Sequence, residues 1–117
     1  MLKMNSRNLD GIGVLDCSGR IVFGEETSSL REVVSRQLES SPYLILNLEG
    51  VNYIDSGGLG TLVSLYTLAR KSGGTIKLAN LTPRVGDLMH ITKLVTVFEV
   101  YPDEVQALKA FQRTAAA

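Results

Sequence analysis

The 117-residue chain is 44% apolar and 21% charged, enough for one domain with a core of its own and no need of covalent staples. Twelve basic residues cancel twelve acidic ones, which excludes the strong field that would gather nucleic acid or an anionic membrane. A single cysteine excludes an internal disulfide and argues against a zinc site, and no apolar run approaches the roughly 20 residues needed to cross a bilayer.

The first residues, Met1 to Arg7, lack the apolar core of a secretory signal, so the cytoplasm is the expected location. Residues 2–8 and 11–17 read as two strands joined by Asp10-Gly11, a common hairpin signal. In the second strand Leu15 and Cys17 share one face while Ile12 and Val14 share the other. Ser18-Gly19 is expected to interrupt it, with Ile21-Val22-Phe23 resuming as a short third piece before Gly24 ends the extended region. Glu25 and Glu26 open a helix where its dipole favours acidic groups. Leu30, Val33, Val34 and Leu38 form the apolar stripe of that helix, with Arg31, Glu32, Arg36 and Gln37 on the wet side. Ser40-Ser41-Pro42 stops it. Tyr43 to Leu48 is an almost unbroken apolar run, as in a strand covered on both faces.

Then comes Asn52-Tyr53-Ile54-Asp55-Ser56-Gly57-Gly58-Leu59-Gly60, the stretch on which the rest of the chain turns. Behind it, Leu59, Leu62, Val63, Tyr66 and Ala69 recur at helical spacing, predicting a helix from about Gly58 to Lys71. Asp55 and Ser56 are both N-cap types. Gly57, Gly58 and Gly60 each cost a helix about 1 kcal/mol relative to Ala, so their clustering suggests close approach to the backbone. The bare helix end favours negative charge, and a hydroxyl beside it is a place to add or read a phosphate. The plainer alternative is a tight strand-to-helix turn with an ordinary cap.

Ser72-Gly73-Gly74 ends that helix. Thr75 to Ala79 alternates and reads as a half-covered strand. Pro83 opens a short helix with Val85, Leu88 and Met89 inward. Val95 to Val100 is the expected last strand. Asp103-Glu104 begin a final helix with Val105, Leu108 and Phe111 inward, and residues 114–117 are expected to fray. Strand and helix alternate through the second half, which predicts an α/β fold of parallel strands with right-handed crossovers, made mixed by the N-terminal hairpin. A single domain spans residues 1–117.

Little in the chain can support catalysis. His90 is the only histidine, so no two-histidine metal site forms, and a structural role is expected for it. Cys17, mid-strand, reads as a buried, inert thiol. Gly57-Gly58-Leu59-Gly60-Thr61 has neither the spacing nor the lysine of a P-loop, and it fails the dinucleotide fingerprint. A nucleophile elbow would need glycine where Ile54 stands. Tyr53, Tyr66 and Tyr101 lack the basic groove of a nucleic-acid stacking platform. The expectation is a non-enzyme with no cofactor and no metal.

Residues 51–60, Val-Asn-Tyr-Ile-Asp-Ser-Gly-Gly-Leu-Gly, resemble the signature of the STAS domain (sulfate transporter and anti-sigma factor antagonist). The resemblance extends over nearly the whole chain, through Ser18-Gly19-Arg20-Ile21, Ile76 to Asn80 and Leu88 to Leu94. At this length, and with no membrane part, the chain is most similar to bacterial anti-sigma factor antagonists. The resemblance implies a mixed, largely parallel sheet with helices chiefly on one face. It also implies partner switching, in which the domain binds a serine-kinase anti-sigma factor and so frees the sigma factor, until phosphorylation by that kinase ends the contact. A phosphatase is a further possible partner; neither nucleic acid nor membrane insertion is implied. The implied docking surface is Asp55, Ser56, Gly57, Gly58, Leu59 and Gly60 with the exposed side of the following helix, and Gly58→Arg is expected to block docking while leaving the fold intact. The family's acceptor hydroxyl stands two residues after the motif aspartate, where this chain has Gly57. Either Ser56 is the acceptor, or the turn is not phosphorylated, with Thr61 and Ser64 as distant alternatives. A competing role is that of a scaffold or transport-system subunit without phospho-switching; nucleotide hydrolysis is a weaker third.

Overall fold

The computed structural model describes residues 1–116, with side chains through Gln112. In chain order the elements are β1 (Leu2–Leu9), β2 (Ile12–Ile21), α1 (Glu25–Ser40), β3 (Tyr43–Ile54), α2 (Ser56–Lys71), β4 (Thr75–Ala79), α3 (Pro83–Ile91), a 3-10 turn (Leu94–Thr96), β5 (Glu99–Tyr101) and α4 (Glu104–Ala116). The five strands form one sheet in the order β1-β2-β3-β4-β5. The β1–β2 pair is antiparallel and the other three pairs are parallel, so the sheet is mixed and largely parallel. Asp10 and Gly11 both adopt positive φ (54° and 83°), the conformation a two-residue hairpin turn demands.

Alternation along the strands sorts the core into two layers. Leu15, Cys17, Leu44, Leu46, Leu48, Ile76 and Leu78 pack beneath α1, α2 and α3, together with Leu30, Val34, Leu62, Leu65, Val85 and Met89. On the opposite face Ile12, Val14, Ile45 and Ala79 pack against Ala107 and Phe111 of α4. Helices therefore sit chiefly on one face. Each large aliphatic side chain buried this way stabilises the fold by about 1.5–3 kcal/mol.

Several elements depart from expectation. Ser18-Gly19 does not break β2; the strand absorbs these residues as register shifts against β3 and runs on to Ile21, leaving Phe23 in a turn rather than a third strand. β3 continues six residues past Leu48, carried by pairing of residues 50–54 with the far end of β2. Gln37 is half-buried, donating to the Val14 carbonyl at 3.3 Å, not solvated. Residues 94–96 coil into the 3-10 turn because Lys93 takes a left-handed conformation (φ 62°), and only Glu99 to Tyr101 pair with β4. Val105 is exposed; the buried stripe of α4 is Ala107, Ala110 and Phe111. The helical backbone continues through Ala116, into the stretch expected to fray, and Ala117 lies outside the described residues.

β4 is covered on both faces, not one, because Lys77 is 3% exposed. Its ammonium lies 2.5 Å from Glu99 Oε2 and 4.8 Å from the Phe111 ring centroid. Removing a buried charge together with its desolvation cost is often neutral or favourable. Lys77→Met is accordingly expected to leave stability unchanged or raise it by about 1 kcal/mol in urea unfolding. A large loss would show that Glu99 and the rings more than offset desolvation.

A second polar cluster ties α4 to the sheet. Asp16 accepts two bonds from the Arg7 guanidinium (2.7 and 2.8 Å) and one from Asn47 (2.8 Å), while Arg7 also reaches Glu104. The Arg7 bonds, ahead of the Asn47 bond, hold the Asp16 carboxyl below its ordinary range, against a smaller opposing effect of burial. A carboxylate depressed in the folded state stabilises fully above its unfolded value, and the contribution fades as pH falls through the folded one. Asp16→Asn should therefore lower stability at neutral pH, and the gap from wild type should narrow in strong acid. A gap independent of pH would exclude this linkage.

Candidate functional site

Where β3 ends and α2 begins, the chain makes a mouth out of backbone as much as side chains. Asp55 is extended and caps α2, its Oδ1 accepting from the Gly58 N–H at 2.7 Å. The same carboxylate accepts the Phe23 N–H at 3.1 and 3.2 Å, and the Asp55 N–H donates to the Ile21 carbonyl at 3.3 Å. The Gly58 N–H first, then that of Phe23, lower the Asp55 pKa, so the carboxylate stays charged well into acid. Asp55 thus clasps the end of β2 to the start of α2. Ser56, the other expected cap type, does not cap; it is the first residue of the helix.

The six expected surface residues divide sharply. Ser56 and Gly60 are exposed, Asp55, Gly57 and Leu59 are half-buried, and Gly58 is buried. A Cβ on Gly58 would lie 2.2 Å from the Ile21 carbonyl oxygen, so this glycine is a contact between helix and strand rather than part of an outer surface. Gly58→Arg therefore cannot leave the fold intact. A Cβ on Gly60 would meet nothing within 4 Å.

The three hydroxyls near the mouth also differ. Thr61 is buried and donates to the Gly57 carbonyl at 2.9 Å, which removes it as an acceptor of phosphate. Ser64 is exposed but accepts from Arg31 (2.8 Å) and donates to the Thr61 carbonyl. The Ser56 hydroxyl has no hydrogen-bond partner among the described residues.

Beside Ser56 runs an open hollow of about 510 Å³ between the end of β3 and α3, lined by Tyr53, Ile54, Asp55, Arg84, Val85, Asp87, Leu88 and Ile91. The Arg84 guanidinium sits 5.9 Å from the Tyr53 ring centroid. Neither histidine nor lysine lines it, and Asp55 is committed to two backbone N–H groups. Exposed apolar groups flank the mouth: Phe23 and Ile91 are 80% and 78% exposed. Sequence patterning assigned neither to the site. Phe23 directly before Gly24, at the end of a strand run, is the only hint the residues offer.

The remaining chemical groups lie elsewhere. His90 is exposed on α3. Cys17 is buried, donates weakly to the Leu15 carbonyl (3.8 Å), and burial pushes its pKa up to about 12, as for an inert thiol. No helix among the described residues is long and apolar enough to cross a membrane.

Comparison with known proteins finds the STAS domain, matched over residues 3–107. The anti-sigma-B factor antagonist of Bacillus subtilis (strain 168) is 37% identical over 71 residues, 61% of this chain and 65% of that protein. The anti-sigma F factor antagonist of Paenibacillus polymyxa is 29% identical over 72 residues, 62% of each chain. Each match spans a little under two thirds of the relative's length. The crystal structure of an anti-sigma factor antagonist from Mycobacterium paratuberculosis superposes with a TM-score of 0.81 at 27% identity, covering 94% of this chain and 93% of that one.

Proposed function

The chain belongs to the STAS domain family, and from that premise we propose that it is an anti-sigma factor antagonist. It docks on a serine-kinase anti-sigma factor through the mouth of α2, and so releases the sigma factor for transcription. It is a cytoplasmic binding module rather than an enzyme, and a phosphatase reverses its modification. The observation that carries this reading is Ser56: an exposed hydroxyl without a partner among the described residues, at a helix entrance, among exposed apolar groups. The names of the relatives point the same way.

The surface offered is Asp55, Ser56, Leu59 and Gly60 with the rim of Gly57; Gly58 supports it from beneath. A phosphate on Ser56 brings a charge of about −2 to a contact that must lose water to form. The cost of desolvating that charge is what opposes docking. Docking ends without any change of fold. Incubation with a serine-kinase anti-sigma factor and ATP, then mass spectrometry, should find phosphate on Ser56. Phosphate recovered on Ser64 alone would refute that assignment.

A further inference from the structure

We propose that β1 is a pairing edge: a second copy of the chain adds its own β1 antiparallel to it, across a two-fold axis at Ser6. The two sheets then become one. This surface lies two strands away from β3 and stands whether or not the mouth of α2 docks a partner.

The sheet has two edges, and they are built differently. At β5 the edge is three residues long, Glu99 to Tyr101. The Tyr101 carbonyl accepts the Asn80 N–H at 3.3 Å, so Tyr101 and Glu99 face inward and Val100 alone of the three turns its backbone outward. Pro102 follows with no N–H, and the Phe98 N–H before it is taken by the Leu94 carbonyl at 3.0 Å. That edge is closed to pairing.

β1 is the opposite case. It runs for eight residues, Leu2 to Leu9, without proline and without a register shift against β2. The two-residue turn makes Leu9 and Ile12 the closing bonded pair, and at the other end the Met1 carbonyl accepts the Arg20 N–H at 3.3 Å. Odd residues therefore bond to β2, while Leu2, Met4, Ser6 and Asn8 turn both N–H and C=O away from the sheet. The helix layers pack chiefly on inner strands, α1 on β2 and β3 and α4 on β3 to β5, and leave this rim unroofed. Sheets usually guard such a rim with bulges, prolines or charges. Here Arg7 is spent on Asp16 and Glu104, which leaves Lys3 on guard.

Charge selects a second copy and sets its register. Twelve cations balance twelve anions, so identical chains carry no net repulsion. Bonding even residues to even ones puts the axis at Met4, Asn5 or Ser6. An axis at Asn5 sets Lys3 against Arg7 of the second copy, like charge against like. One at Met4 leaves Asn8 without a rung. With the axis at Ser6, Met4 bonds Asn8 of the second copy and Asn5 faces Arg7. Lys3 then faces Leu9, which its aliphatic stem can cover.

Sedimentation equilibrium over a concentration series tests this. The mass of the chain should rise from 12.7 kDa toward twice that value. Ser6→Pro removes an outward N–H, which an edge strand tolerates, and should weaken association by roughly tenfold or more with little change in melting temperature. Ser6→Lys keeps every backbone bond, sets like charges face to face, and decides the matter if proline harms the strand. Cysteines read the register, because native Cys17 is buried. Across the axis two Cα atoms stand about 5.5 Å apart, within reach of a disulfide. Oxidised glutathione should therefore cross-link Ser6→Cys about tenfold or more faster than Asn8→Cys. A chain that stays at 12.7 kDa throughout overturns the proposal and leaves the rim to a strand of another protein. Undiminished association of both folded Ser6 variants, or equal cross-linking at the two positions, overturns it as well.

Discussion

Gly58→Ala is expected to destabilise the chain by about 3 kcal/mol, a fall in melting temperature of roughly 10 °C or more at this size. The added methyl would stand 2.2 Å from the Ile21 carbonyl oxygen and 2.8 Å from Ile54 Cγ2. The first of these is backbone, held by the Asp55 N–H, and it cannot rotate aside. Only a retreat of α2 from the end of β2 makes room, and that retreat breaks the bonds of Asp55 to Gly58 and Phe23. Gly60→Ala, two residues along the same helix, is the control. It meets nothing within 4 Å and should stabilise by up to about 1 kcal/mol through helix propensity. Thermal unfolding of the two variants side by side decides the matter, and similar melting temperatures would contradict this packing. Gly60→Arg, rather than Gly58→Arg, is then the substitution that blocks docking without touching the fold.

Ser56→Glu is expected to weaken binding to the anti-sigma factor by about 100-fold, equivalent to about 2.8 kcal/mol, because a carboxylate must shed its water to enter the contact without a partner there. The substitution should not harm the domain itself. Ser56 is the first residue of α2, the first turn of α2 carries no acidic residue, and a carboxylate there interacts favourably with the helix dipole by about 0.3–1 kcal/mol. Loss of binding with an unchanged or raised melting temperature therefore isolates the electrostatic effect. Isothermal calorimetry against the purified anti-sigma factor reads it directly. Undiminished affinity would place the contact elsewhere on the domain.

What could be read from the residues was local. Asp10-Gly11, Ser40-Ser41-Pro42 and Ser72-Gly73-Gly74 mark turns because the backbone itself demands those residue types. The stripes of α1 and α2 follow from spacing alone. The misreadings share another cause: the deciding partner lies far away in sequence. The apolar run ends at Leu48, yet β3 continues through Glu49-Gly50 because β2 offers a long enough edge to pair with. Lys77 resembles a solvent-facing residue, yet Glu99, Tyr101 and Phe111 close over it. Val95-Thr96 has strand-forming side chains, but Lys93 turns the chain first. At the site the motif announced itself, whereas its division into inward Gly58, covered Gly57 and outward Ser56 depends on Ile21 and Phe23, more than thirty positions earlier.

The Asp55 clasp is made almost wholly of main-chain groups on the β2 side: an Ile21 carbonyl and a Phe23 amide. Ile21 itself is fully buried in the core, but such bonds are indifferent to what Val22 and Phe23 carry as side chains. Mutation there can accordingly redraw the complementary relief seen by a visitor while the scaffold beneath keeps its strength.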